Sequence, residues 1–410
     1  MPATHSPELV RRNFRIDSFA AICGGLWIAV LVGFMPVVVR RMGGSSFDVA
    51  LVVAGPFIGH LLSPIGIYLL SGLPPVRVVA GAVTAARSVF LVGVLVATTP
   101  LMLGLTTVAF WIITLANIAA YTTVMASIYP GSERGQAMGK VRVGASVAGV
   151  FSAAIAGIAI DTVSATAVFA VATIVSLPGS IAFFWVREEH RTSAPARRPL
   201  HLVARAVWDD RRYRRLLLAN TVFGLGNLMN ATIVPLMLVD HFDAPNSFVG
   251  ILAAMASLTA VVAYLGWGRL IDRGSSLQLS AYQTVLCLAT PLTYLLAPSI
   301  WFLIPLAVVH GVLNAGFDIT YHTNIVQAAP PGRVLDYATG QSFLLGIRGT
   351  IAPFLTSFML GIVEPRVVLL VIVTLMVIGI SLYFRAVRDF AHVAAGVLVP
   401  AADADAAVAS

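Results

Sequence analysis

The sequence predicts an all-α membrane protein, with twelve transmembrane helices arranged as two pseudo-symmetric six-helix bundles. Three observations carry this. Only 11% of the 410 residues are charged, 58% are hydrophobic, and mean hydropathy is +0.90; a soluble domain carries about 25% charged residues. Apolar runs of about 20 residues, long enough to cross hydrocarbon, recur twelve times. Between the sixth and seventh runs lies Arg187 to Arg215, with nine arginines. That stretch cannot lie in hydrocarbon, because each ionised side chain at the bilayer centre costs about 2.5–3.5 kcal/mol or more.

In order, the first-half spans are Ile16–Val39, Phe47–Leu70, Val76–Ala97, Leu101–Tyr121, Val141–Ile160 and Ala165–Val186. The second half repeats the count with Leu216–Val239, Ser247–Trp267, Leu279–Leu296, Ile300–Thr323, Ala338–Ile362 and Val367–Phe384. Turn chemistry separates them: Gly-Gly-Ser-Ser at 43–46, Leu73-Pro74-Pro75, Thr99-Pro100 and Pro298-Ser299. The expected organisation is a cytoplasmic N-terminus (1–15), a first bundle (16–186), a cytoplasmic central loop (187–215), a second bundle (216–387) and a disordered cytoplasmic tail (388–410). The polar N-terminus does not read as a cleavable leader.

Charge orients the chain. With both termini in the cytoplasm, 21 of the 26 basic residues fall in inner segments, and only Arg40, Arg41 and Arg366 in outer ones. By the positive-inside rule this places the protein in the cell membrane with both termini cytoplasmic. The net charge of +8 is therefore an orientation signal, and no nucleic-acid partner is expected. Cys23 and Cys287 lie inside apolar runs and offer neither a disulfide framework nor a metal site. No phosphate-cradling G-x-x-x-x-G-K-[ST] occurs, and no paired catalytic acid and nucleophile is visible, so neither ATP, a cofactor nor an enzymatic reaction is expected.

The halves repeat. Gly66 and Gly72 after span two match Gly268 and Gly274 after span eight at the same spacing, and Pro130 to Gly139 matches Pro331 to Gly340. Parallel duplication of a six-helix unit is a transporter plan. The loop after span eight reads Gly268-Arg-Leu-Ile-Asp272-Arg273-Gly274, whereas its first-half counterpart, Gly66 to Gly72, carries neither Asp nor Arg. With six plus six spans, a basic central loop and this G-x-x-x-D-R-type loop, nearly the whole chain resembles the major facilitator superfamily. The resemblance implies alternating access about a mid-membrane site lined by spans one, four, seven and ten. It also implies that Gly268, Asp272, Arg273 and Gly274 form a gating loop, with Asp272 as a cytoplasmic latch. The Gly-Pro antiporter motif of span five is absent.

Polar residues inside spans nominate the site. His310, Asn314, Asp318 and His322 recur every four residues in span ten; four steps turn a helix by only about 40° beyond a full turn, so they form one slanted stripe. Such a stripe faces protein or a water-filled cavity. Counting back from Pro130 and Pro331 pairs Asn117 with Asp318, and Tyr121 with His322. Span seven adds Asn220, Asn227 and Asn230, and span one adds Trp27 as a stacking wall. The expected solute site is Trp27, Asn117, Asn227, Asn230, His310 and Asn314, against the alternative that these groups only join helices. Asp318 is the candidate for proton coupling, paired with the deeply placed Arg348. Arg87 is expected to snorkel or meet His60, and Asp17 to pair locally with Arg15. The function expected is proton-coupled secondary transport of a small molecule by a monomer, efflux favoured over uptake. The alternatives are an uncoupled facilitator, an uptake symporter and a non-transporting sensor.

Overall fold

The computed structural model describes residues 6–70, 73–114, 117–130, 134–188, 208–330 and 333–397. In the first half, helices α1 (Pro7–Arg41), α2 (Ser46–Leu70) and α3 (Pro75–Val96) supply spans one to three. In span four stand α4 (Pro100–Ile113) and α5 (Asn117–Ile128), with residues 115 and 116 outside the described ones; α6 (Arg134–Thr162) and α7 (Ala165–Ala182) follow. The second half comprises α8 (Arg211–Leu236), α9 (Asn246–Arg273), the broken ninth span α10 (Ser276–Leu286) and α11 (Ala289–Leu296), then α12 (Leu303–Ala328), α13 (Val334–Leu360) and α14 (Pro365–Val397). Among the described residues ten helices are long and apolar enough to cross a membrane, and the shorter apolar stretches Ser46–Leu62 and Pro100–Ile113 stand in spans two and four.

Local chemistry sets the ends. Pro7, Pro75 and Pro100 open their helices at positions where no amide donor is needed. Thr99, Ser164 and Asp210 accept hydrogen bonds from the first free amides of α4, α7 and α8. Several helices overrun their apolar runs. α1 begins at Pro7 and carries Arg11, Arg12 and Arg15, while α14 runs to Val397, well into the segment expected to be a disordered tail. Residues Gly268 to Arg273, expected as a loop, continue α9, and the turn falls at Gly274 and Ser275. The side chain of Asp272 lies outside the described residues, as do residues 71 and 72.

Within the first half α1 packs on α6 and α7, α2 on α4, and α3 on α7; within the second, α8 packs on α14 and α13, and α12 on α9 and α10. Among the described residues the halves meet most extensively along two seams, α6 against α9 and α2 against α13. Small residues let the backbones close in, as expected where lipid removes the hydrophobic drive between helices. A Cβ on Gly157 would stand 2.6 Å from the Asn246 carbonyl, and one on Gly346 would stand 2.7 Å from the Leu61 amide nitrogen. The start of α1 and the end of α14 lie on one face, the terminal face, since the far ends of α1 and α8 meet at Arg40 and Asp240 while Arg215 at the start of α8 pairs with Asp389 of α14. There Asn13 exchanges two hydrogen bonds with the backbone of Arg187, and Tyr213 donates to the Tyr337 carbonyl. Cys23 and Cys287 are buried and free.

Candidate functional site

The stripe on α12 opens toward the space between the halves from Asn314 to His322. Asn314 and His322 are exposed and Asp318 is half-buried between them. Asp318 Oδ2 accepts a hydrogen bond from Tyr264 of α9 at 3.1 Å, and forms an ion pair with Arg142 of α6. Since α6 belongs to the first half and α9 and α12 to the second, this carboxylate joins the two. Arg142 also lies within electrostatic reach of Tyr121 and His322. Behind Tyr121, Asp17 is only 2% exposed and accepts from Tyr121 at 3.0 Å and Tyr129 at 2.9 Å. A polar belt therefore runs from α1 through α5 and α6 to α12 and α9.

The Arg142 and Asp318 side chains keep 45% and 30% of their surface exposed. A pair so solvated contributes about 0.2–1 kcal/mol, enough to bias the halves toward contact and little enough to break. The face opposite the termini is held by other contacts. Arg40 of α1 meets Asp240 at 2.8 Å, and Arg41 donates to the Ala244 carbonyl. Ser46 of α2 pairs with Ser357 of α13 at 2.9 Å, and Asp161 of α6 binds the start of α9. Inside the first half lies a cavity of about 220 Å³ whose wall includes Asp17, Arg87, Asn117 and Tyr121. Arg87 Nε and Asn117 Oδ1 are buried there without partners.

The family model described as Major Facilitator Superfamily matches residues 18–219 and again 216–397, once for each half. The chain belongs to the major facilitator superfamily. Among solved structures, a point mutant of the nucleoside transporter NupG superposes with a TM-score of 0.74 at 12% identity, covering 92% of this chain and 99% of that one. A bacterial homologue of the human lysosomal transporter Spinster, in an inward-facing and occupied conformation, gives 0.69 at 14% identity, covering 93% and 98%. At these identities the likeness shows the fold alone. No curated protein sequence matches the chain.

In this multi-pass membrane protein of a transporter family, the other candidates disperse. Trp27 is not a wall shared by the halves. It is 3% exposed, donates to Thr173 Oγ1 at 2.9 Å and packs between Phe90 and Phe110, inside the first half. His310 turns toward α11, its Nε2 lying 2.9 Å from Thr290 Oγ1, which is the helix-joining alternative. Asn230 is buried against Met376 of α14, Asn227 is half-buried, and Asn117 opens α5 at the cavity wall.

The Asp318–Arg348 pair does not form. Arg348 donates to the Asn220 carbonyl and lies against Gly224, where a Cβ would come within 2.6 Å of its Nη1. Among the described residues no carboxylate is within ion-pairing distance of Arg348. Arg87 likewise bonds the Ser176 carbonyl at 2.6 Å and sits 5.9 Å over the Trp27 ring, while His60 faces Ser342 of α13. Asp17 pairs with two tyrosines of the fourth span region, not with Arg15. Sequence reasoning missed Arg142 and Tyr264. Arg142 stands at the edge of an apolar run and reads as a loop charge; its signal was its place just inside span five, Val141–Ile160.

Proposed function

We propose that this protein is a secondary active transporter that exports a small, at most weakly charged solute by alternating access, in exchange for protons. The terminal face lies in the cytoplasm in this reading, supported by the distribution of basic residues. The observation that carries it is Asp318, a half-buried carboxylate bound to Arg142 across the halves and to Tyr264 within its own half. Ionised, Asp318 draws α6 and α12 together and closes the cytoplasmic side. A proton arriving from outside cancels that attraction while Tyr264 stays bonded, so the cytoplasmic side opens. The proton then leaves inward, a solute takes the vacated space beside Asn314 and His322, and the renewed pair closes behind it. Each cycle of two conversions thus carries a proton one way and a solute the other, and an ion pair contributing about 0.2–1 kcal/mol shifts the balance between the two states by up to about fivefold.

The test begins with a thermal-shift screen of the purified protein against metabolites and drugs to find the solute. Proteoliposomes with an imposed pH gradient then compare the native protein with Asp318→Asn. Native protein should accumulate the solute against its gradient, and Asp318→Asn should exchange it without accumulation. Gradient-driven accumulation with unchanged pH dependence in Asp318→Asn would remove Asp318 from coupling. Mere equilibration by the native protein would make it a facilitator.

A further inference from the structure

Helix α9 begins without a cap of its own. Its N-cap residue is Pro245, which has no side-chain acceptor to offer the free amides of the first turn. The acceptor comes from the other half. Asp161, at the end of α6, takes the Asn246 amide on Oδ1 at 3.1 Å and the Ser247 amide on Oδ2 at 2.7 Å. The Asn246 side-chain amide adds a third bond at 2.8 Å. The carboxylate also meets the positive end of the α9 dipole. Just below, the backbones nearly touch, a Cβ on Gly157 falling 3.0 Å from Gly250 Cα.

The repeat shows that this arrangement is a choice of this chain. Ser46-Phe47 at the start of α2 and Ser247-Phe248 at the start of α9 stand 201 apart, as do Pro130 and Pro331. Helix α2 caps itself: Asp48 accepts from the Ser45 amide and hydroxyl, and Ser45 Oγ accepts from the Asp48 amide. At the same offset, Asp48 becomes Val249 and Asp161 becomes Ile362. One half keeps its capping carboxylate on the capped helix; the other places it across the seam.

We infer that Asp161 is a conformation-setting residue, a cap lent by the first half that holds the face opposite the termini closed. When the halves part at that face, the amides of Asn246 and Ser247 lose their acceptor and the open state is disfavoured. Helix α2 keeps its cap in either state and adds no such bias. The inference builds on alternating access but needs no solute, so it stands or falls apart from the proposed transport.

The test uses the full chain in nanodiscs carrying Ser357→Cys, a position 9% exposed at the same face, with a maleimide as probe. Cys23 and Cys287 are buried and stay silent. Asp161→Ala should raise the labelling rate about fivefold, the population change expected from losing one cap. Adding Pro245→Asp, which gives α9 a cap of its own, should restore the melting temperature and leave labelling high. Labelling at the native rate in folded Asp161→Ala overturns the inference. So does a return to that rate on adding Pro245→Asp, which would make Asp161 a helix cap and nothing more. If Asp161→Ala does not fold, Asp161→Asn, which keeps one accepting oxygen, should give a smaller rise, and no rise at all overturns it equally.

Discussion

Across the α6–α9 seam the first half presents charge: Asp161 at one end, holding backbone amides, and Arg142 toward the other, holding Asp318 beside Tyr264. Across the α2–α13 seam it presents shape. Ser46 pairs with Ser357, Phe47 lies 5.4 Å from Phe354, and Gly349 and Gly346 sit against Phe57 and Leu61. The two seams are related by the repeat, yet they respond to different agents. A charged contact is altered by a proton, salt or a solute; a steric one changes only when backbones move. The charged seam is where conformation can be driven, and the neutral one is where it is guided.

The largest effect that sharpens this contrast is expected at the neutral seam. Gly346→Ala places a methyl 2.7 Å from the backbone of Leu61, which cannot yield as a side chain tip would. It should destabilise the protein by about 1–3 kcal/mol, seen as a fall in melting temperature. Gly139→Ala, with nothing within 4 Å of the new atom, is the control and should be neutral or slightly stabilising. Equal melting temperatures would mean that the α2–α13 seam is loose.

A smaller effect is expected at His310, which shares α12 with Asp318 but faces α11. His310→Ala should lose about 0.6 kcal/mol of stability, the worth of one hydrogen bond between membrane helices, and leave solute affinity unchanged. Weakened affinity at native stability would return His310 to the solute path. The smallest effect belongs to Arg40 and Asp240, whose side chains are 31% and 44% exposed. Asp240→Asn should alter labelling of the face opposite the termini by no more than a few-fold at low salt, and 1 M salt should erase the difference. A difference that survives high salt would assign that pair a buried role.

Spans, repeat and family were legible because hydrocarbon imposes a length and a polarity on every helix, and Gly268 to Gly274 carried a recognisable pattern. Asp318 was legible for the same reason, being a carboxylate within an apolar run. Its partner was not, since Arg142 reads as an inner-loop charge and Arg348 as a charge deep within a span, and only packing decides which guanidinium reaches the carboxylate. Gly224 decided it by giving Arg348 a place against α8. Trp27 shows the same limit: a mid-span indole looks alike whether it lines a path or fills a core, and Phe90, Phe110 and Thr173 arrive from three other spans. Asp161 was hidden at a span end, where a carboxylate reads as loop.

The clasp of Asn13 on Arg187 bears on how far the molecule can travel. It fastens the end of the sixth span to α1, and Asp210, accepting from two amides at the start of α8 and from Tyr337, fastens the start of the seventh. Each half therefore holds its own end of the connector, and any displacement of one half against the other is borne at the α6–α9 and α2–α13 seams.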